Sequence, residues 1–180
     1  APVADWPTKR RWVAEAYEKL EKAGYTITSA YTAVKNPETT KFIYRDRLWS
    51  GADMVGLGVS SFGHLGGIHY QNITNIDHYC DSVEAKKAPV RRALMTQEEE
   101  RFIRELILQW KLGRVDKKYF QKKFGISVTE RFSLIITKWK ENGDLIEEGD
   151  YLVLIRDALL RVDSLLHQFF LPHHQDARYV

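Results

Sequence analysis

The spacing of apolar residues divides this chain into a first half that alternates helix and strand and a second half that is mainly helical. In the first half, a helix start at Asp5 and a glycine stop at Gly24 bracket a run of residues with helical periodicity. The next run, Tyr25 to Ala33, alternates and is rich in β-branched and aromatic residues. It predicts a strand.

Further along the first half, a second helix is predicted to start at Asn36 and to end at about Trp49. The apolar run Met54 to Val59 predicts a buried strand that opens into a glycine-rich loop, and a third helix is predicted from Ile76 to about Ala85. Because helix and strand alternate in this order, we expect a parallel α/β sheet.

The second half carries amphipathic helices whose ends are marked by local signals. Capping boxes at Thr96 to Glu99 and at Ser127 to Glu130 predict two helix starts, and a short helix is predicted between them, from Val115 to Phe124. A tight hairpin around Gly149 and a final amphipathic helix follow. Three helices, a hairpin and a helix are typical of a winged-helix-like module.

The alternating pattern breaks around residues 85–89, where alanine, lysine and proline replace the periodic apolar positions. We therefore predict a boundary between a domain of residues 1–88 and a domain of residues 89–180.

The composition is that of a globular protein, with 180 residues, 44% of them hydrophobic and 28% charged. A formal net charge of +3 permits anionic partners without requiring them. Cys80 is the single cysteine, which excludes a disulfide within the chain and a cysteine-ligated zinc or iron–sulfur site made by this chain alone. No apolar run approaches the roughly 20 residues that cross a bilayer, so we expect a cytoplasmic protein with no membrane partner.

Six of the eleven glycines lie within residues 51–67, and we name the segment Gly56 to Gly63 the glycine string. Glycine is favoured where main chain approaches a ligand closely or takes a positive φ. The end of a buried strand that opens into such a loop is a common position for ligand sites in α/β folds. The pattern leaves two interpretations open, a ligand site and a tight loop that binds nothing.

Generic catalytic and metal-binding motifs are not matched. Ser60 and Ser61 lack the closing glycine of G-x-S-x-G, and Ser61 stands where G-x-G-x-x-G requires its third glycine. His78 and Cys80 lack the i, i+4 spacing of helical metal ligands. We therefore assign no catalytic residue and no metal-binding residue.

A basic cluster in the second half suggests a non-enzymatic, winged-helix nucleic-acid-binding module as an alternative function. The cluster consists of Arg114, Lys117, Lys118, Lys122 and Lys123. On the next helix, where a winged helix would read bases, Glu130 and Glu141 offset the cations. A solvated helix face explains the cluster better, so nucleic acid is not an expected partner.

Nearly the whole chain resembles the C-terminal half of the radical-SAM family of oxygen-independent coproporphyrinogen III oxidases and haem chaperones. The strongest match is Gly56-Leu57-Gly58-Val59-Ser60-Ser61-Phe62-Gly63, followed by Tyr70-Gln71-Asn72 and the helix that contains Tyr79. The resemblance implies that residues 1–88 end a partial (β/α) barrel and that residues 89–180 form a winged-helix-like C-terminal domain. It also implies a parent protein that acts on tetrapyrroles, as a porphyrin-biosynthesis oxidoreductase or as a haem chaperone.

The same resemblance indicates where an adenosyl cofactor would be contacted. Phe62 is the firm position, because the glycines fix the alignment, and Thr32 or Ala33 is a looser one. Gly56 and Gly58 would permit close approach of the ligand to the backbone. The aromatic ring of Phe62 could stack on an adenine or on a tetrapyrrole edge, and the alternative is a core aromatic residue.

The family's C-x-x-x-C-x-x-C motif cannot exist in a chain whose single cysteine is Cys80. Either the sequence is a fragment of a longer enzyme, or it is a relative that has lost the chemistry. We favour a fragment, because the opening helix resembles the middle of a (β/α) barrel, and we expect the missing part to bind S-adenosylmethionine on a 4Fe–4S cluster. The chain alone is expected to bind neither and to catalyse nothing. Its expected partners are the remainder of the barrel, a tetrapyrrole substrate and, along the exposed strand edge, a second copy of itself.

Overall fold

The structure, a computed structural model, describes residues 3–175 as two compact units. The first unit is built from both ends of the chain, up to Ile43 and from Phe102 onward, and the second unit is Tyr44–Arg101. The boundary expected between residues 88 and 89 lies inside the second unit, between its last helix and its last strand. The division into residues 1–88 and 89–180 stays a prediction.

The first unit begins with a helix and a small hairpin. These are α1 (Trp6–Lys22), β1 (Thr26–Ser29) and β2 (Thr32–Val34). Asp5 caps α1 as predicted, with its side chain accepting a hydrogen bond from the Thr8 amide, and Gly24 follows the helix with φ of +82°. The single strand expected from Tyr25 to Ala33 is wrong, because the chain reverses at residues 30 and 31 and the two halves pair with each other.

The remainder of the first unit is mainly helical, with one antiparallel sheet. Its elements are α4 (Glu98–Trp110), β6 (Arg114–Asp116), α5 (Lys117–Phe124), α6 (Val128–Arg131), α7 (Ser133–Glu141), β7 (Leu145–Glu148), β8 (Tyr151–Leu154), α8 (Arg156–Leu160), α9 (Val162–Leu166), a 3₁₀ turn (His167–Phe169) and α10 (Pro172–Gln175). The strand order is β6-β8-β7. The predicted hairpin is confirmed as β7 and β8, while the first residues of the predicted helix Val115 to Phe124 form β6.

The core of the first unit is aromatic. The Trp110 and Trp139 rings lie 5.3 Å apart edge to face, and the Trp139 and Phe169 rings 5.2 Å apart in the same geometry. All three side chains are buried. Because each comes from a different segment of the unit, their contact fixes α4, α7 and the 3₁₀ turn against one another.

The second unit contains a three-stranded antiparallel sheet and two helices. Its elements are α2 (Ile43–Trp49), β3 (Phe62–Leu65), β4 (Ile68–Asn72), α3 (Ile76–Glu84) and β5 (Val90–Met95), with strand order β3-β4-β5. Gly66 and Gly67 form the two-residue turn between β3 and β4, with φ of +57° and +80°. Such a turn needs positive φ at both positions, which explains the paired glycines.

The second unit corrects several sequence expectations. All strand pairs in the described residues are antiparallel, so the expected parallel sheet is wrong. The two-residue turn between β3 and β4 leaves no room for the crossover that a parallel pair needs. Met54 to Val59 is not a strand and contributes only an isolated bridge between Met54 and His64. The helix predicted from Ile76 is confirmed, whereas the helix predicted from Asn36 begins only at Ile43, since Asn36 caps a turn instead.

The two predicted capping boxes have different outcomes. The Ser127 hydroxyl accepts a hydrogen bond from the Glu130 amide, as predicted. The box predicted at Thr96 to Glu99 is shifted by one residue. The Gln97 amide donates to Glu100 Oε2 over 2.6 Å. Thr96 instead donates to the Gly67 carbonyl over 2.6 Å, so its hydroxyl supports the β3–β4 turn. Among residues 3–175, no helix is long and apolar enough to cross a membrane.

Candidate functional site

The buried side-chain amide of Asn72, at the end of β4, binds the glycine string at two carbonyl groups. Its Nδ2 atom donates to the Gly56 carbonyl over 2.9 Å and to the Gly58 carbonyl over 3.0 Å. The Asn72 backbone amide donates to the Ser61 carbonyl over 2.9 Å. Asn72 is 2% exposed, so these bonds are shielded from water. One side chain thereby sets the path of the loop on either side of Leu57.

Two tyrosine hydroxyls complete the support of the string. The Gly56 amide donates to Tyr70 Oη over 3.2 Å, and the Gly58 amide donates to Tyr79 Oη over 3.0 Å. Both glycines therefore have their amide and carbonyl groups bonded within the protein. Their predicted role as a close-approach surface for a cofactor stays a prediction, and such contact would have to be made without these polar groups.

The glycines are also required by the geometry of the loop itself. A Cβ atom on Gly56 would lie 2.2 Å from the Phe62 carbonyl oxygen, and Gly58 has φ of +92°. In the same way, a Cβ atom on Gly63 would lie 2.1 Å from the Tyr70 ring. The close packing and the positive φ explain three glycines of the string without a ligand.

Phe62 lies at the start of β3, where the glycine string meets the sheet. Its side chain is 47% exposed, so the alternative of a core aromatic is wrong. The ring stacks on the His69 ring, with centroids 5.7 Å apart and planes inclined by 13°. A half-exposed aromatic ring with one face supported is suited to stacking against a flat ligand.

Other exposed apolar side chains lie in the same loop and sheet as Phe62. They are Val55, Leu57, Val59, Leu65, Ile68 and Leu94. A monomeric protein seldom exposes this many apolar side chains in one segment, so this surface is a candidate contact for a ligand or another polypeptide. We name these residues with Phe62 the apolar surface of the second unit; Leu94 shares the sheet face of Phe62, whereas Leu65 and Ile68 lie on the opposite face.

Thr32 belongs to the first unit, where it lies in the β1–β2 hairpin. Its Oγ1 atom is 2.6 Å from Ser29 Oγ and 3.1 Å from Thr28 Oγ1. The hydroxyl therefore has partners within the hairpin, and Ala33 is half-buried beside it. The two predicted cofactor positions, Thr32 and Phe62, lie in different units, and each remains a separate prediction.

The basic cluster of the second half is largely neutralised by acidic neighbours. Lys118 Nζ lies 2.6 Å from Asp150 Oδ2. Lys117 and Lys140 both form ion pairs with Glu147. These two lysines lower the pKa of Glu147 to about 2 by hydrogen bonding to its carboxylate. Cations that are already paired offer little counterion release to a nucleic acid, which disfavours the alternative function.

Lys123, another member of the cluster, is part of a network that the sequence did not indicate. Its Nζ atom lies 2.8 Å from Glu105 Oε1, and Tyr119 Oη donates to Glu105 Oε2 over 2.5 Å. Glu105 is 4% exposed. Burial and the neighbouring carboxylate raise the pKa of Tyr119 above its usual range. The i, i+4 spacing of Tyr119 and Lys123 was the one available signal that both could face the same partner.

Sequence reasoning also missed the supporting role of Asn72, Tyr70 and Tyr79. These residues carried part of the family resemblance but had no assigned function. The sequence offered one signal for the role of Asn72, namely that this polar residue follows the aromatic Tyr70 near the end of a strand. Their partners lie 14 to 21 residues away along the chain, so no local pattern could assign them.

The comparisons with known proteins agree on one family. No family model matches the chain. It is 24% identical to the oxygen-independent coproporphyrinogen III oxidase of Helicobacter pylori in an alignment of 132 residues, covering 67% of this chain and 29% of that protein. Its fold matches coproporphyrinogen III oxidase (HemN) from Escherichia coli, described as a radical SAM enzyme, with a TM-score of 0.71 and 14% identity over 92% of this chain and 42% of that one.

The chain therefore spans less than half the length of both relatives. At these identities, the structural match establishes a shared mixed α/β fold with the matched part of the enzyme. The resemblance to the radical-SAM coproporphyrinogen III oxidases that the sequence predicted is confirmed.

Proposed function

We propose that this chain is the C-terminal part of a radical-SAM protein that acts on a tetrapyrrole. The observation that carries the proposal is the fold match over 92% of the chain to a radical-SAM coproporphyrinogen III oxidase. The order of elements from α4 to β8, in which two of the three sheet strands form a hairpin, supports the winged-helix-like assignment of the C-terminal domain. The second unit, with the glycine string, would then belong to the end of the barrel.

In this proposal, Phe62 and the glycine string form one wall of the S-adenosylmethionine site. The half-exposed Phe62 ring fits an adenine, since a flat base can stack on it. A 4Fe–4S cluster does not fit this chain, because Cys80 is its single cysteine and a cluster needs several thiolates. When bound to the rest of the protein, the cluster and S-adenosylmethionine would supply the radical that abstracts hydrogen from the substrate.

The role of this part would be structural and substrate-covering, with no catalytic residue of its own. Two activities are compatible with the family, oxidation of a porphyrinogen propionate and delivery of haem as a chaperone. The exposed apolar surface of the second unit would contact the remainder of the barrel or the tetrapyrrole.

The reading frame upstream of Ala1 gives the most direct test. The full reading frame would be expressed without oxygen and its cluster reconstituted. We expect a C-x-x-x-C-x-x-C motif and cleavage of S-adenosylmethionine to 5′-deoxyadenosine. Consumption of coproporphyrinogen III would assign the oxidase, and haem transfer without porphyrinogen consumption would assign the chaperone. A reading frame that lacks the cysteine motif would contradict the proposal.

Replacing Phe62 by aspartate in that full-length protein is expected to weaken S-adenosylmethionine binding by at least about tenfold, because stacking is lost and a carboxylate is introduced. Equilibrium dialysis with labelled S-adenosylmethionine measures the affinity. Val83→Asp is the matched control, since Val83 lies on α3 in the same unit and is 49% exposed. Equal affinities of the two variants would remove Phe62 from the proposed site.

Self-association of the isolated chain is a further expectation of the proposal. All six residues of β5 are exposed, and β5 is an edge of the three-stranded sheet. An edge strand with apolar side chains pairs readily with another strand. In the parent protein, the remainder of the barrel would bind the second unit and would therefore compete with this self-association.

Replacing Leu94 on β5 by lysine is expected to reduce self-association, because a charge on an edge strand opposes pairing. Light scattering after gel filtration, over a range of protein concentrations, measures the mass. Leu134→Lys is the control, since Leu134 is 86% exposed on α7 in the other unit. A wild-type chain that stays monomeric at every concentration would contradict the edge-pairing expectation.

A further inference from the structure

The first unit contains a cleft of about 560 Å³ that the proposed function does not use. It lies between α1, the β1–β2 turn and the segment from α8 to the 3₁₀ turn. Aromatic, aliphatic and basic side chains line it, among them Trp6, Val13, Tyr31, Leu160, Lys9 and Arg10. A cleft of this size with apolar walls and a few charged groups has the character of a small-molecule site.

The charges that line the cleft do not cancel. Its carboxylate, on Asp163, accepts a hydrogen bond from Tyr31 Oη over 2.7 Å and lies 3.7 Å from Lys111 Nζ. Arg161 pairs with the buried carboxylate of Asp144. Asp163 is thus compensated by Tyr31 within the cleft and by Lys111 outside it, and Arg161 is compensated by Asp144. Lys9 and Arg10 remain as lining cations without an ion pair among the described residues.

Two cations of α1 line the cleft, Lys9 and Arg10; both are half-buried and form no ion pair among the described residues, although Asp5 lies close enough to Lys9 for their charges to interact. Lys9 Nζ lies 4.8 Å from the centroid of the Trp6 ring, a cation–π contact. Arg10 forms no hydrogen bond or ion pair within residues 3–175. A half-buried guanidinium beside an apolar wall is incompletely solvated and favours an anionic ligand with planar, two-oxygen geometry.

The opposite wall is fixed in place before any ligand binds. Tyr31 is held by Asp163, and burial together with this hydrogen bond raises the pKa of Tyr31 above its usual range. Tyr17 Oη donates to the Ala30 carbonyl, and the Ala30 amide donates to the Lys111 carbonyl over 2.9 Å. A wall held at three points loses little conformational entropy on binding.

We propose that this cleft binds a small aromatic anion. Its flat ring lies between Trp6 and Tyr31, and its carboxylate or phosphate group is bound by the Arg10 guanidinium with Lys9 nearby. The two rings supply the apolar contact area, and the unpaired Arg10 guanidinium selects for negative charge. The inference rests on residues of the first unit alone and is independent of the proposed function.

Binding of three naphthalene probes to the full chain, measured by calorimetry, tests this inference. The probes are 2-naphthoate, 2-naphthyl phosphate and the neutral 2-naphthamide. We expect at least one anion to bind about tenfold more tightly than the amide, since a hydrogen bond to a charged group strengthens binding by that order. Tighter binding of 2-naphthoate would identify the anionic group of the ligand as a carboxylate, and tighter binding of 2-naphthyl phosphate would identify it as a phosphate. Equal binding of all three probes, or no binding, would overturn the inference.

Arg10→Gln is expected to weaken anion binding about tenfold and to leave amide binding unchanged. Arg11→Gln is the matched control, because Arg11 follows on the same helix, does not line the cleft and pairs with Glu15 at 3.8 Å. Circular dichroism of both variants verifies that α1 remains folded. Equal anion affinity of the two variants would exclude Arg10 from a binding role and overturn the inference.

Discussion

Replacing Gly56 by alanine is expected to destabilise the second unit by about 2 to 3 kcal/mol, the upper part of the range for overpacked sites. The added Cβ would lie 2.2 Å from the Phe62 carbonyl oxygen and 2.7 Å from the Phe62 carbonyl carbon. Both atoms belong to the backbone, so no side-chain rotation relieves the contact. The loop would have to shift relative to Phe62, and this shift would strain the hydrogen bonds that Asn72 donates to the Gly56 and Gly58 carbonyls.

Hydrogen–deuterium exchange of the segment 56–72 measures this effect, because it reports local opening separately from unfolding of the first unit. Gly66→Asn is the matched control. Gly66 has φ of +57° and no atom within 4 Å of an added Cβ, and asparagine tolerates this conformation. We expect fast exchange in Gly56→Ala and near wild-type exchange in Gly66→Asn. Similar exchange in both variants would show that the close contact with Phe62 is not what requires glycine.

Replacing Lys123 by methionine is expected to destabilise the first unit by about 2 to 3 kcal/mol at pH 7, below the 3 to 5 kcal/mol of a fully buried pair. The Glu105 side chain is 5% exposed and would keep only the Tyr119 hydroxyl as a hydrogen-bond donor within this network. The Lys123 side chain is 37% exposed, so water would replace part of the lost interaction. Urea unfolding followed by circular dichroism gives the free energy of unfolding.

A double-mutant cycle separates the loss of charge pairing from the loss of packing. Glu105→Gln removes the buried charge and keeps an oxygen that accepts from Tyr119, so the variant with both substitutions is expected to be more stable than Lys123→Met alone. Lys122→Met is the control, since Lys122 is exposed on the same helix. A double variant that is less stable than Lys123→Met would contradict an electrostatic origin.

The ends of helices could be predicted from the sequence because their signals are local. Asp5 and Ser127 cap helices as predicted, and their hydrogen bonds reach only three residues along the chain. Strand pairing could not be predicted in the same way. The reversal within Tyr25 to Ala33 occurs at Ala30 and Tyr31, where neither glycine nor asparagine marks a turn. Gly66 and Gly67, in contrast, are a local turn signal that can be recognised in the sequence.

In the candidate site, too, only features with a local sequence signal could be predicted. The sequence located the glycine string and Phe62, because glycines and an aromatic residue in one short segment form a local pattern. It did not reveal that Asn72 binds the string, because that contact depends on how β4 packs beside the loop. Nor did it indicate the cleft of the first unit, whose walls are brought together only by folding.

The first unit is discontinuous in sequence, and this has a consequence for folding. Its N-terminal part, up to Ile43, packs with segments beyond Phe102, as in the hydrogen bond from the Ala30 amide to the Lys111 carbonyl. Closing that contact orders a long intervening stretch, Tyr44–Arg101, which carries an entropic cost. The second unit is continuous, and the paired residues of its sheet are no more than 27 positions apart along the chain, which favours faster folding than a contact from Ala30 to Lys111. During synthesis, the second unit would therefore fold first, and the N-terminal segment would wait for its partners to leave the ribosome.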